Sequence, residues 1–488
     1  MEDGNYIKTE IPPLITSALA AIPKPDGNIR IIHDLSRPAN NSVNHFAEKD
    51  PCEYQSFQDA LQLVTPESYM AKVDLQWAYR SVAIKQQHQT LTGLQWWFKG
   101  DKNPTFLMDR CLPFGARKSP AAFNRLTKSV QRMMERKGFK IVVFLDDFFL
   151  CENSFDRCLL SLNTLISLLR SLNFRINWKK VVDPCRNLTF LGINIDLEKK
   201  DLMLDPGKAE KLCNTLKDTA LKKRLSKPQL QSLAGKLSWA CQVTPWGRAH
   251  LSPFFQSIRE LKCANHKTRL SSALHEEIDW WLACLTSGQN TRPIWDERPC
   301  ILLAADACNV GGGAICQSGE TIYVNWILDR PDLASQHINM KELAMLKETV
   351  CHWAPKYPGH HLSMLTDNQA ALYIINKGYS KHPVAASLLK SIAVVSLQYN
   401  CRVTAQFIPG ALNDIPDAIS RLHQKGQWER FASLMNMLNN NTQMHTYCQM
   451  SQLSRLFIFQ RQSILKNWTP AGKWHAIGGN KNTGRLEK

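Results

Sequence analysis

Residues 140–151, KIVVFLDDFFLC, constrain the fold more than any other stretch. Four apolar residues from Ile141 to Phe144 lead through Leu145 into adjacent aspartates, Asp146 and Asp147, and Phe148, Phe149 and Leu150 return to apolar character. A run this short and this rich in Val and Phe reads as a buried strand, where two carboxylates are costly unless something neutralises them. The economical reading is a hairpin with a carboxylate pair at its turn, holding divalent cations through oxygen ligands, magnesium being the usual ion when phosphates share the site. Taken alone, the stretch is equally compatible with an ordinary Asp-Asp turn between strands.

The neighbouring stretches supply what such a site needs. Residues 70–84, MAKVDLQWAYRSVAI, end a short apolar strand at Asp74 and place Tyr79 five residues on, in a turn that can bring both to one cleft. A third carboxylate beside Asp146 and Asp147 suits a two-metal site, because each ion needs several oxygen ligands. Residues 21–44, AIPKPDGNIRIIHDLSRPANNSVN, read as a hairpin about Pro25-Asp26-Gly27 that puts Lys24 and Arg30 on one sheet, as a solvated surface or as a triphosphate clamp. In residues 112–123, LPFGARKSPAAF, Gly115 lets the backbone pass close to a ligand, and Ser119 and Pro120 read as N-cap and first residue of a helix. Phe123, Leu126, Val130, Met133 and Met134 are its predicted buried face, with Gly138 closing it. A second helix, about 155–172, carries a core stripe of Leu159, Leu162, Ile166 and Leu169, and leads to INW, Lys179, Lys180 and FLGINI.

The order Lys24, Arg30, Asp34, Asp74, Tyr79, LPFG, SP, FLDD, a lysine after INW, and FLGINI resembles the fingers and palm of a retroelement reverse transcriptase over about residues 22–196. HDLSRP and SVN, YQSFQDA at 54–60, and GKLSWA with PWGRAHL at 235–251 are most similar to DIRS-type elements, which mobilise through a separately encoded tyrosine recombinase. The resemblance implies that Asp74, Asp146 and Asp147 hold two magnesium ions, with manganese as a substitute. It gives Lys24 and Arg30 a grip on the incoming deoxynucleoside triphosphate, and Tyr79 the exclusion of a 2′-hydroxyl. Phe114 and Gly115 would shape the nucleotide pocket, Lys180, and secondarily Lys179, would sit near the departing pyrophosphate, and the Leu191-Gly192 turn would guide the primer end.

From 205 to about 292 the pattern is helical. Ser226 caps a helix whose Leu230, Leu233, Leu237 and Ala240 share a face, while Lys222, Lys223, Arg224, Lys227, Lys236 and Arg248 interleave with Trp239 and Trp246. This reads as a thumb that follows a duplex backbone or, equally on composition, as a solvated basic face. Trp280 and Trp281 are expected in its core.

Beyond Pro293 three strands, then helix, strand, helix, strand and helix describe a mixed α/β layer. Asp306, Glu342, Asp367 and Asp417 fall at or near element ends, Asp367 also serving as a helix cap. Together they resemble a ribonuclease H active site over about residues 300–422, which again implies two magnesium ions. Phe407 stands where many ribonucleases H carry a histidine, a departure that bears on rate; its ring can also belong to the core beneath the following loop.

The expectation is therefore an α+β multidomain chain: a right-hand polymerase with fingers and palm over 1–204 and a helical thumb or connection over 205–295, then an RNase H-like α/β domain over 296–424 and a tail over 425–488 without a legible motif. The formal charge of +18, with Lys+Arg 60 against Asp+Glu 42, points to polyanionic partners, here an RNA template, a DNA primer and their RNA–DNA hybrid, alongside other element-encoded proteins such as a recombinase. The 15 cysteines include no C-x-x-C pair, which speaks against a zinc module or disulfide scaffold and for an intracellular protein in cytoplasm or nucleus. No run approaches a membrane span, and no signal peptide opens the sequence. A non-catalytic, nucleic-acid-binding descendant would have lost metal-binding carboxylates, and all seven are present; a DNA strand-transfer enzyme would leave the palm motifs without a role.

Overall fold

Residues 140–151 fold as the hairpin their sequence predicts. Ile141–Phe144 and Asp147–Glu152 pair antiparallel with Phe144 opposite Asp147, and the two-residue turn between them holds Leu145 at φ 56°. Tyr69–Asp74 pairs antiparallel with the outer side of Asp147–Glu152, Asp74 facing Asp147, and Val182–Cys185 completes a four-stranded sheet. Its alternate residues Val73, Val143, Phe148 and Leu150 meet two helices, Ser119–Arg136 and Phe155–Ser171, through Phe123, Val130, Met134, Leu162, Leu165 and Leu169.

The helices depart from the sequence reading in detail. Lys118, not Ser119, is the cap of the first; Ser119 lies inside it, with Pro120 in the first turn. Leu126 and Met133 are exposed, because the sheet-facing stripe runs through 123, 127, 130 and 134 and a seven-residue step from Leu126 stays to one side of it. In the second helix Leu165 is in the core while Leu159 and Ile166 are only half-buried.

This computed structural model describes residues 4–23, 29–48, 50–288 and 290–444, arranged as two compact units. The first, Met1–Leu212 with Gly288–Trp295, contains the sheet above. It also contains the hairpin of Ala18–Pro23 and Ile29–Asp34 and a sheet ordered Asn187–Phe190, Ile193–Asp196, Asp201–Leu204, Thr291–Pro293. The unit boundaries differ from the sequence segments: the last of those strands returns from beyond the helical region, whose residues 213–287 belong to the second unit.

The second unit, Cys213–Ser287 with Asp296–Lys488, is built on a five-stranded sheet ordered Thr321–Asn325, Gly311–Cys316, Cys300–Ala307, His361–Thr366, Arg402–Phe407. The first two pairings are antiparallel and the last two parallel. Helix Ile338–Trp353 packs against it through Leu343, Leu346 and Val350. Helix Pro383–Gln398, not foreseen from its sequence, packs beside it through Leu389 and Ile392. The helical segment joins this core: Trp246 donates from Nε1 to Ser396 Oγ at 2.9 Å, and buried Glu277 bridges His250 and Lys390. Trp281 is fully buried, whereas Trp280 stacks on His250 at 3.6 Å. Helix Gln427–Met444 begins the tail; 445–488 lie outside the described residues. No described helix is long and apolar enough to cross a membrane.

The glycine run in Gly311–Cys316 lets helices approach both faces of the sheet. A Cβ at Gly312 would lie 2.5 Å from the Trp326 ring and 2.6 Å from Met345 Sδ, and one at Gly313 would lie 2.5 Å from Ile419 Cβ and 2.7 Å from the Ser420 backbone nitrogen. Gly313→Ala is therefore expected to lower stability by about 1–3 kcal/mol in urea unfolding, the usual cost of overpacking. Gly235→Ala, in helix Lys227–Ala240 with open space around the added methyl, should be neutral or stabilise by up to about 1 kcal/mol.

Candidate active sites

The first unit gathers Asp74, Asp146 and Asp147 by strand register. Asp74, the last residue of its strand, faces Asp147, the first of the next, and Asp146 precedes it in the turn, where its carbonyl accepts from Leu75 N at 3.1 Å. Asp74 is buried and doubly held: Asn177 Nδ2 donates to its Oδ1 at 3.0 Å and Lys180 Nζ to its Oδ2 at 2.9 Å. Burial, then the charges of Asp146 and Asp74, push the Asp147 carboxyl up to about 6. The Lys180 ammonium, though partial burial works against it, is held above its ordinary range by the hydrogen bond and charge of Asp74 and by Asp147 and Asp146.

Around these acids the residues expected to shape a nucleotide pocket are partly assembled. Tyr79, in the short 3-10 turn Ala78–Ser81, packs on Phe114 at 5.0 Å and Phe123 at 5.2 Å between ring centroids. Burial and the nearby Asp146 push its hydroxyl up to about 12, so it stays a neutral phenol. Gly115 is obligatory at φ 117°, where a Cβ would lie 2.1 Å from the His33 carbonyl oxygen. Arg30 stands on the strand Ile29–Asp34 opposite Ile22, and Lys24 lies outside the described residues. Lys179 shares the turn Trp178–Lys180 with Lys180, and Leu191 and Gly192, both at positive φ, form the two-residue turn between Asn187–Phe190 and Ile193–Asp196.

Two residues of this site are invisible as such in the sequence. Asn177 orients Asp74 across 103 residues. Asn44 donates from Nδ2 to the Gly115 carbonyl at 2.8 Å and accepts at Oδ1 from Arg117 N at 2.7 Å, pinning the loop that holds Gly115. The N-W-K-K and S-V-N strings carry both residues, but nothing local reveals partners so distant in the chain.

The second unit brings three of its four acids together. Asp306 lies near the end of Cys300–Ala307 and Asp367 directly after the parallel strand His361–Thr366, so both stand at the carboxyl edge of the sheet, while Glu342 enters from helix Ile338–Trp353. The ligand oxygens of Asp306, Glu342 and Asp367 lie within 4.8 Å of one another, the one such group among the described residues. Asp417 is instead paired with Arg421 and Arg430. The cap of helix Gln369–Lys377 is Asn368, whose side chain accepts from Ala371 N at 2.9 Å; Asp367 is thereby left to the acid cluster. Gly410 brings the following loop against Asp367, where a Cβ would sit 2.9 Å from Oδ2. Phe407 is 39% exposed and so is not a core residue beneath that loop.

The electrostatics of this cluster suit a divalent cation. Burial, then Asp306 and Asp367, push Glu342 up to about 9, and burial, followed by Asp367 and Asp417 against the hydrogen bond from Ser420, pushes Asp306 up to about 6. Three carboxylates that repel one another so strongly are an oxygen donor set for a hard cation, which relieves the repulsion. Without a cation, a buried acid with a raised folded-state pKa contributes stability that is complete below its unfolded value near 4.5 and is lost as pH rises toward about 9. Glu342→Gln, which mimics the protonated acid, should melt like the parent near pH 5 in chelator and increasingly above it from pH 6 to 9; magnesium should raise the melting temperature of the parent more than that of the variant.

Comparison with known proteins bears on the first unit above all. Residues 22–195 match the family described as reverse transcriptase (RNA-dependent DNA polymerase). The chain is 22% identical over 418 residues to the retrovirus-related Pol polyprotein from transposon opus of Drosophila melanogaster, covering 82% of this chain and 38% of that protein. It is 27% identical over 224 residues to the Pro-Pol polyprotein of Simian foamy virus type 1, covering 46% of this chain and 18% of that one. The chain thus spans well under half the length of these relatives. Among solved structures it is similar to the foamy viral protease-reverse transcriptase in complex with RNA/DNA hybrid, with TM-score 0.50, 16% identity and coverage of 83% of this chain and 51% of that one. The dRH form of that protein in complex with ds DNA gives TM-score 0.51 and 16% identity over 83% and 67% of the two chains. At such identity the likeness shows the fold, that of a reverse transcriptase polymerase. The matched segment, residues 22–195, contains the Gly115 loop, Tyr79, Lys180 and the acids Asp74, Asp146 and Asp147, and over that segment the chain is similar to the reverse transcriptase family.

Proposed function

We propose that this chain copies RNA and DNA templates into DNA by a two-metal mechanism and cleaves the RNA of the resulting RNA–DNA hybrid at a separate ribonuclease H site, as part of a DIRS-type retroelement. The observation that carries the reading is the presence of two independent carboxylate sets, one fixed by the Asp74–Asp147 register of a reverse transcriptase sheet and one converging within 4.8 Å at the edge of the five-stranded sheet. The element type rests on HDLSRP, YQSFQDA and PWGRAHL; such elements also encode a recombinase, which makes that protein a partner in mobilisation. Nucleic-acid partners are supported by the +18 charge and by the relatives whose structures hold dsDNA or an RNA/DNA hybrid.

Asp74, Asp146 and Asp147 would hold one pair of magnesium ions, and Asp306, Glu342 and Asp367, joined by Asp417, the other. When bound, such ions activate the attacking oxygen and stabilise the departing one. The protein's own contribution at the first site is positioning. Asn177 and Lys180 fix the Asp74 carboxylate, and Lys180, its side chain 58% exposed, would exchange that contact for a phosphate oxygen and donate a proton toward the departing pyrophosphate. Tyr79, braced by Phe114 and Phe123, presents a rigid ring at which a 2′-hydroxyl would collide.

The reading is tested by separating the two activities. Asp146→Asn should lower magnesium-dependent primer extension on RNA and DNA templates by at least about 10²-fold and leave hybrid cleavage intact, whereas Asp306→Asn should do the reverse; both activities lost together in a folded single variant would mean one shared site. Sugar choice gives an independent test. Tyr79→Val should raise ribonucleotide incorporation relative to deoxyribonucleotide incorporation by about tenfold or more in kcat/KM, and unchanged discrimination would remove Tyr79 from the sugar pocket.

A further inference from the structure

The fourth carboxylate of the second site is held by side chains that belong to neither the sheet nor the other three acids. Asp417 Oδ1 accepts from Arg421 Nε at 2.8 Å and its Oδ2 accepts from Arg430 Nη1 at 2.7 Å, so a guanidinium engages each oxygen. Asp417 is close to the cluster all the same: Ser420 Oγ donates to Asp306 Oδ2 at 2.8 Å and lies 2.9 Å from the Asp417 carbonyl oxygen. The two arginines differ in kind. Arg421 follows Asp417 by one turn at the end of helix Asp414–Ser420 and moves with it, whereas Arg430 belongs to helix Gln427–Met444 and ties that helix back to the site. Arg430 also reaches Asp414 Oδ1 at 3.4 Å from Nη2 and Gln427 Oε1 at 3.4 Å from Nη1.

We propose that Arg430 is a lock released by the hybrid: without nucleic acid it keeps Asp417 out of the metal-binding set, and a backbone phosphate of the bound duplex takes the guanidinium and frees Asp417 Oδ2 as a ligand, while Arg421 stays on Oδ1. The inference rests on the hybrid-cleaving reading of this site. Arg430 is 38% and Asp417 27% exposed, and an ion pair so open to solvent is weak and readily exchanged. A phosphodiester offers the planar guanidinium paired oxygens and, in a duplex, a high local density of them. Arg430 is thus a positioning residue that couples hybrid binding to completion of the carboxylate set, and it restrains cleavage until a hybrid is present.

Metal binding reads the lock directly. Manganese titration calorimetry would use the full chain carrying Asp74→Asn and Asp146→Asn, so that the polymerase acids contribute little. This parent should bind one ion tightly and a second weakly. Arg430→Gln should tighten the second by about tenfold, Arg430→Lys by less, and Asp417→Asn added to Arg430→Gln should cancel the gain. A non-cleavable 2′-O-methyl-RNA–DNA hybrid should tighten the second ion on the parent and add little to Arg430→Gln. Identical isotherms for the parent and both Arg430 variants, with melting temperatures matched, would overturn the lock while leaving the site intact. A parent isotherm that Asp306→Asn does not change would instead overturn the underlying reading. If Arg430→Gln melts early, the Arg430→Lys isotherm and the hybrid dependence of the parent decide.

Discussion

The antiparallel register that sets Asp74 opposite Asp147 is the constraint on which the first unit depends. Cross-strand neighbours in a sheet lie about 5 Å apart, so two carboxylates in one pair are forced together at whatever electrostatic cost. Burial first, then the charges of Asp146 and Asp74, push Asp147 up to about 6, and for Asp74 the cost is partly met by Asn177 and Lys180. The apolar strands flanking the acids supply the rigidity: Val73, Val143 and Phe148 are buried on one face and Met70, Val142 and Phe149 on the other, so a one-residue slip would disrupt the packing on both.

The second unit reaches a similar end by another route. Parallel strands place Asp306 and Asp367 at the same edge of a sheet, and a helix packed close over the glycine strand delivers Glu342 beside them. The close approach permitted at Gly312 and Gly313 and the close approach of Gly410 to Asp367 are parts of one arrangement, in which backbone is brought near where side chains would otherwise keep elements apart. Glu342, the most buried of the converging acids in charge terms, carries the largest upward shift, about 9. In both units the protein stores repulsion between carboxylates that a divalent cation is suited to relieve.

Much of this was legible in the chain. The double aspartate inside an apolar run predicts the hairpin, because only a turn between buried strands accommodates it, and the hairpin is present with Phe144 opposite Asp147. The order of strands and helices after Pro293 predicts the mixed layer, and acids at or near element ends mark Asp306, Glu342, Asp367 and Asp417, of which the first three converge. Local rules failed where two helices or a helix and a sheet compete for a side chain. Leu126 and Met133 are apolar yet face solvent, since burial follows the one stripe that meets the sheet; the helix Pro383–Gln398 went unread because its apolar residues show no clear polar side to mark a period.

The sequence by itself determined which chemistry is available: seven acids, a neutral aromatic beside three of them, and glycines where backbone must pass closely. Periodicity and turn chemistry are local, so they survive translation into structure. Only the tertiary structure decided which side chains orient those acids. Asn177 reaches Asp74 and Asn44 reaches Gly115 across 103 and 71 residues, and hydrogen bonds of that span leave no periodic trace in the chain. Tertiary packing likewise split the four acids of the second site into three that converge and one, Asp417, held by Arg430 from a later helix, because an ion pair between helices depends on how they pack and not on the residues that surround each in sequence.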